Sequence, residues 1–275
     1  SCPQKIRPPQ DRARQHNAGD KVTITGENFG TYPSDISVSF NGTPAEFELV
    51  DESTIVATTP ADYKTGNVTV TIHGYTMTGS AMFNPNSKGD VTVLYLQNYK
   101  QPFAKANDEN WKNGEWWTPA VWNQNKASFN AKNNTTVTGM QYKAAEGFTL
   151  AFQNGWDKEA YTNGKIWQVA TLRPGKYRLE VTYAYTMVVS DVGNFISALM
   201  AKGNSESDIP NVADIEQLNG VCAIYDKAGT NDDSGILVTP SFEVTETTDV
   251  VIGFLTSLAK GNSYFKVTEL KLILE

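Results

Sequence analysis

The chain has 275 residues, 40% hydrophobic and 19% charged, which is ordinary for a globular protein and long enough for two domains without a metal or disulfide staple. Its net charge of −7 and pI near 5.0 argue against nucleic acid as a partner, because a phosphate backbone needs a basic stripe, and the one basic cluster, Lys5, Arg7, Arg12 and Arg14, is short. No apolar run approaches the ~20 residues that span a bilayer, so no membrane span is expected.

In chain order, Cys2 comes first. Bacterial lipoproteins carry their lipid on a cysteine preceded by a small residue, and Ser1-Cys2 is compatible with that; the alternative is a cysteine belonging to a first strand. The second of the two cysteines, Cys222, sits between Val221 and Ala223 and reads as a small hydrophobe in a strand. Two cysteines make neither a disulfide scaffold nor a metal knuckle.

From 22 to 83 the pattern is short alternating strands at 22–25, 36–40, 55–58, 68–73 and 81–83, with Gly, Pro, Asn and Asp at the breaks. Val22 and Ile24 face a core; so do Ile36, Val38 and Phe40 of the next strand, which stops at the hairpin signal Asn41-Gly42. The run Gly19-Asp20-Lys21-Val22-Thr23-Ile24-Thr25-Gly26-Glu27-Asn28-Phe29-Gly30, the later Phe40-Asn41-Gly42 and the closing Val68-Thr69-Val70-Thr71-Ile72 resemble the IPT/TIG family of immunoglobulin-like domains. That resemblance implies a sandwich that holds something else in position. Residues 84–90 break every periodicity, and all six tryptophans lie beyond them. The expected boundary divides the chain into an immunoglobulin-like domain at 1–86 and a second domain at 87–275.

The second part opens with an expected strand at 91–96. Phe148, Leu150 and Phe152 alternate, 166–172 follows, and Arg173-Pro174-Gly175-Lys176 makes a turn. Tyr177, Leu179, Val181, Tyr183, Tyr185, Met187 and Val189 then share one face. Further strands are expected at 194–201, 236–244, 250–258 and 264–274; in the last, the apolar phase slips after Val267, as a bulge or two-sided burial would produce. The segments Ile166-Trp167-Gln168-Val169-Ala170-Thr171-Leu172, Lys176-Tyr177-Arg178-Leu179, Phe242-Glu243-Val244, Val250-Val251-Ile252-Gly253-Phe254 and Phe265-Lys266-Val267-Thr268-Glu269-Leu270-Lys271-Leu272 resemble the galactose-binding-like jelly-roll superfamily used by carbohydrate-binding modules. The fold class expected is therefore all-β, a sandwich followed by a jelly roll. The combined layout resembles Bacteroidetes surface glycan-binding lipoproteins, which implies a cell-surface or secreted protein with an oligosaccharide or polysaccharide ligand and outer-membrane glycan-import partners.

The candidate site is the segment 107–125, with Trp111, Trp116, Trp117 and Trp122 among polar residues. A sugar ring presents an apolar C–H face and a belt of hydroxyls, so its binder needs a flat aromatic platform beside amides and carboxylates. Asn113, Glu115, Asn123 and Gln124 are the candidate hydrogen-bonding partners. Trp116 or Trp117 is favoured as platform, because neighbours in an extended segment point to opposite sides. Trp156, after Gln153-Asn154-Gly155, is a further candidate, while Trp167 reads as core. The opposing reading makes the tryptophans a plug at one end of the jelly roll.

The acidic loop 229–235 lacks the ligand spacing of a calcium loop and reads as a solvated turn, so no metal and no cofactor is expected. No motif of a serine hydrolase, zinc protease, P-loop or dinucleotide enzyme occurs, and His16 and His73, the latter on the polar face of its strand, lack a visible nucleophile partner. The expectation is a non-enzymatic carbohydrate-binding protein. The alternatives are a structural or adhesion protein docking another protein, and a jelly-roll glycoside hydrolase or an accessory fragment of one, which needs only two facing carboxylates.

Overall fold

A computed structural model describes residues 6–7, 17–84, 88–106, 115–129, 136–155, 160–259 and 261–275. The protein is all-β and divides into two compact units, Ser1–Leu94 and Tyr95–Glu275.

The first unit contains β1 (Ile6–Arg7), β2 (Lys21–Gly26), β3 (Ile36–Phe40), β4 (Thr43–Ala45), β5 (Phe47–Asp51), β6 (Thr54–Thr58), β7 (Gly66–Ile72), β8 (Tyr75–Met82) and the short β9 (Gly89–Asp90). One sheet runs β1-β2-β6-β5 and the other β4-β3-β7-β8. The alternation of β2, β3 and β7 drives their packing: Val22, Ile24, Ile36, Val38, Phe40, Val68, Val70 and Ile72 meet in one core with Ile55 and Tyr63. Asn41 and Gly42 both take positive φ, 44° and 86°, the conformation of the tight hairpin turn that their sequence announces. His73 and Gly74 do the same at 50° and 82°. His73 is thus a turn residue rather than a strand residue, with Nε2 3.5 Å from Asp35 Oδ2. The strand expected at 91–96 is instead a helical turn, α1 (Thr92–Tyr95). Asp90 accounts for it: its Oδ1 accepts from the Thr92 N–H at 3.0 Å and from the Thr92 hydroxyl at 2.6 Å, capping the turn.

The second unit contains β10 (Trp116–Trp117), β11 (Asn123–Gln124), β12 (Thr136–Lys143), β13 (Gly147–Asn154), β14 (Tyr161–Leu172), β15 (Gly175–Met187), β16 (Phe195–Lys202), β17 (Gly220–Ile224), β18 (Asp233–Val238), β19 (Phe242–Val244), β20 (Thr248–Leu258) and β21 (Tyr264–Leu274). One sheet runs β10-β12-β13-β21-β15-β18, with β19 also on β15, and the other runs β11-β14-β20-β16-β17. Phe152 of the first meets Phe254 of the second at 4.9 Å, and Phe265 and Tyr183 continue the aromatic interior. Each such ring contributes roughly 2–3 kcal/mol when fully buried. β20 is buried on both faces, because Trp167, Leu199, Val251 and Leu255 pack beneath Ile209, Val212 and Ile215 on its other side. Half-buried Cys222 joins that layer.

Two irregularities redirect side chains. On β21 the register to β15 jumps between Thr182 and Tyr183, leaving Thr268 unpaired. That bulge is the phase slip visible in the sequence. On β15 the expected single apolar face reverses after Tyr183: Tyr185 takes φ 51°, and Thr186 and Val188 are buried in place of Tyr185 and Met187. The strand expected at 236–244 is two strands on the same partner, interrupted around Pro240, which cannot donate to a ladder. Asp233 is also not part of a solvated turn: it is buried and its Oδ2 accepts from the Tyr225 hydroxyl at 2.8 Å.

Candidate functional site

The geometry around the tryptophans starts from β10. Trp116 lies opposite Gln141 and Trp117 opposite Met140 on β12, so the two indoles project to opposite faces of an edge strand. Trp116 is buried against Ala151 on the outer face of the sheet. Trp117 is on the interior face at its rim, only half-buried, with its ring 5.9 Å from Phe148. Phe148 packs on Tyr142 with centroids 4.6 Å apart and planes tilted by 38°, and Tyr142 is 40% exposed. Cross-strand registry builds this row: Tyr142 opposes Phe148, and Met140 opposes Leu150 one step deeper. An apolar surface thus runs from the open rim at Trp117, Tyr142 and Phe148 into the core at Leu150 and Phe152.

The segment after β10 is fixed from outside. Ala106 N–H donates to Thr118 O at 2.7 Å and Ala120 N–H to Ala104 O at 2.8 Å, flanking the pair Lys105–Pro119. Asn98, at φ 47°, holds both strands of this small ladder. Its Nδ2 donates to Ala104 O at 3.0 Å and Ala120 O at 2.9 Å, its Oδ1 accepts from the Ala104 N–H at 2.7 Å, and its carbonyl accepts from Trp122 Nε1 at 2.9 Å. Trp122 is buried with its ring 6.1 Å from Phe254. Lys105 reaches over Trp117, its Nζ 6.0 Å from the ring centroid.

Gln141, opposite Trp116, carries a polar cluster on the outer face. Gln141 Nε2 donates to Glu115 Oε1 at 2.6 Å, and Lys143 Nζ lies 3.8 Å from the same oxygen. Gly139, at φ 139°, lies where a Cβ would meet Trp117 O at 3.1 Å and Gln124 Nε2 at 3.6 Å, so Gln124 borders the Trp117 backbone. Among the described residues, Thr118 Oγ1, Gln124 Oε1 and Gln141 Oε1 are buried without a hydrogen-bond partner, which is uncommon for buried polar atoms. On the outer face, Lys266 is 2% exposed and its Nζ contacts both oxygens of Glu146, at 3.0 and 2.7 Å. Burial pulls the Lys266 ammonium below its usual range, and the Glu146 carboxylate partly restores it.

Of the residues expected from sequence, Trp117 lies at this rim with Gln124 bordering its backbone, whereas Glu115 joins Gln141 and Lys143 on the outer face. Trp116 and Trp122 present no open indole face, because burial inside the fold stabilises an indole more than exposure to water does; they anchor the segment. Asn123, on the opposite sheet, is exposed and donates to Trp167 O at 3.3 Å. Trp111, Asn113, Trp156 and Cys2 lie outside the described residues. Sequence reasoning missed Tyr142, Phe148 and Lys105: the two aromatics alternate in ordinary strands, and only cross-strand registry carries them to Trp117. Among the described residues no group of three or more His, Cys, Asp or Glu is placed to hold a metal, and no helix is long and apolar enough to cross a membrane.

The class defined by this fold is a two-part β-protein with an immunoglobulin-like unit, and residues 14–88 match the IPT/TIG domain. Residues 97–253 match the family described as Domain of unknown function (DUF5013), and the chain belongs to that family. No curated protein matches it in sequence. Among solved structures it is similar to SGBP-B from a complex xyloglucan utilization locus in Bacteroides uniformis, at 13% identity and TM-score 0.29, over 99% of this chain and 73% of that one. It is also similar to a carbohydrate-binding module of the β-sandwich superfamily, at 11% identity and TM-score 0.33, over 99% and 98%. A Stig cyclase, Fisc, from Fischerella sp. TAU aligns at 14% identity and TM-score 0.39, over 57% and 86%.

Proposed function

We propose that the protein is a non-enzymatic carbohydrate-binding protein whose second unit stacks a sugar ring on the rim surface of Trp117, Tyr142 and Phe148. The observation that carries this reading is the half-open Trp117 indole beside Phe148, which in turn packs on the exposed Tyr142. A partly exposed indole and phenol offer the flat apolar face that a pyranose C–H surface needs. The amide of Gln124, which borders the Trp117 backbone and has a spare Oε1, supplies a polar group for the hydroxyl belt. Trp111, Asn113 and Trp156 remain candidates for extending the platform. A glycan array probed with the full chain, followed by calorimetric titration of Trp117→Ala, tests this. The expected result is oligosaccharide binding that weakens sharply in the variant; binding unchanged in folded Trp117→Ala moves the site elsewhere.

The immunoglobulin-like unit then serves as a spacer, and Cys2 as a lipid anchor that places the protein at the cell surface beside glycan-import partners. If so, the protein partitions with membranes and a Cys2→Ser form is released. Equal partitioning of the two forms would remove the anchor from the proposal.

A further inference from the structure

We infer that the Trp117 surface selects an anionic sugar, a pyranose bearing a carboxylate or sulfate, and that Lys105 is the specificity-determining residue; this rests on the carbohydrate reading of the same surface. Lys105 is placed by the backbone. Pro119 has no N–H and can take only a non-hydrogen-bonded position in the ladder, which is where opposed side chains approach most closely. Lys105 opposes it, and Trp117, two residues before Pro119, shares its face. The ammonium therefore comes to lie over the indole.

Among the described residues Lys105 has no carboxylate within ion-pair distance, in a chain whose acids outnumber its bases and whose net charge is −7. Two carboxylates of the same unit, Glu115 and Glu146, are engaged elsewhere, Glu115 with Gln141 and Lys143, and Glu146 with Lys266. A neutral sugar stacking on Trp117 would displace the ammonium from the ring and return nothing to it. A uronate or sulfated ring would draw it from the ring face to the ring edge and give it a charge-assisted partner. The arrangement thus favours an acidic ligand twice: the cation shields the platform from neutral rings and pairs with charged ones.

The test is calorimetric titration of the full chain with tetragalacturonic acid, with its methyl ester, which keeps the skeleton and removes the charge, and with a sulfated tetrasaccharide. The acid, the sulfated sugar or both should bind at least about tenfold more tightly than the ester. Lys105→Gln should abolish that preference and Lys105→Arg should keep it. Raising NaCl from ~50 to ~500 mM should weaken the anionic sugar alone. Comparable binding of ester and acid, lost in Trp117→Ala and indifferent to Lys105→Gln, would overturn the charge selection and leave the carbohydrate reading standing. Binding indifferent to Trp117→Ala would overturn both.

Discussion

Trp116 and Trp117 are consecutive in the chain and sit on opposite faces of one edge strand, the first sealed against Ala151 and the second open at the rim beside Phe148. Two chemically identical neighbours therefore have different jobs. Trp117→Ala should weaken sugar binding by on the order of 1–3 kcal/mol, a tenfold to hundredfold loss, with little change in melting temperature. Trp116→Ala should cost ~3–5 kcal/mol of folding stability. Thermal unfolding and titration of both variants check the division; a destabilised Trp117→Ala with unchanged affinity when folded would reverse it.

The buried Lys266 ammonium depends on Glu146. Glu146→Gln should destabilise the protein by about 3–5 kcal/mol, because it leaves a buried charge unpaired, whereas Lys266→Met in the same background should recover most of that loss. Denaturant midpoints of the single and double variants give the answer. Equal midpoints for wild type and Glu146→Gln would show that the pair contributes nothing.

Alkaline pH should unfold the second unit in a definable window. The Tyr161 hydroxyl, buried and within 2.8 Å of Thr256 Oγ1, is pushed up to about 12 by desolvation. Tyr177, Tyr183 and Tyr225 are shifted upward for the same leading reason. A folded-state value above the unfolded one means that the unfolded chain releases its proton first. The stabilising contribution is therefore complete below about pH 10 and is lost as pH rises from there towards 12. Phenolate absorbance and far-ultraviolet circular dichroism, followed together, should rise and collapse in the same interval, and Tyr161→Phe should soften the loss. Full phenolate absorbance with an intact dichroism spectrum would contradict it.

The sheets β1-β2-β6-β5 and β4-β3-β7-β8 enclose a core drawn from residues 22–82 alone, so a fragment beginning at Lys88 should fold cooperatively by itself. A single sharp unfolding transition of that fragment is the expected result. A soluble but unstructured fragment would place the divide elsewhere.

Periodicity made much of this legible. The hairpin turn at Asn41-Gly42 and the bulge of β21 are both local events, written in residues adjacent in the chain, and the structure has them where the sequence places them. The reversal of β15 is not local. Tyr185 and Met187 continue an apolar alternation, yet the chain twists at Tyr185 and buries Thr186, whose hydroxyl accepts from the Lys266 N–H at 3.1 Å. A hydrogen bond supplied by a strand 80 residues away has no signature in the period of β15. The candidate site divides in the same way. Trp117 stands out as one of four tryptophans in a short polar stretch, whereas Tyr142, Phe148 and Lys105 join it only through registry and a two-bond ladder. Asp90 is the converse case, a local capping signal that outweighs the apolar run Val91 to Leu96 following it.

Four hydrogen bonds converge on Asn98, and they join the stretch that carries Lys105 to the stretch that follows Trp117. The backbone spacing between the two stretches is thereby set, and the reach of the Lys105 side chain from that fixed origin works as a ruler. A ligand is then measured by where on its ring the charge is attached, and sugars of equal charge but different substitution should be told apart by geometry.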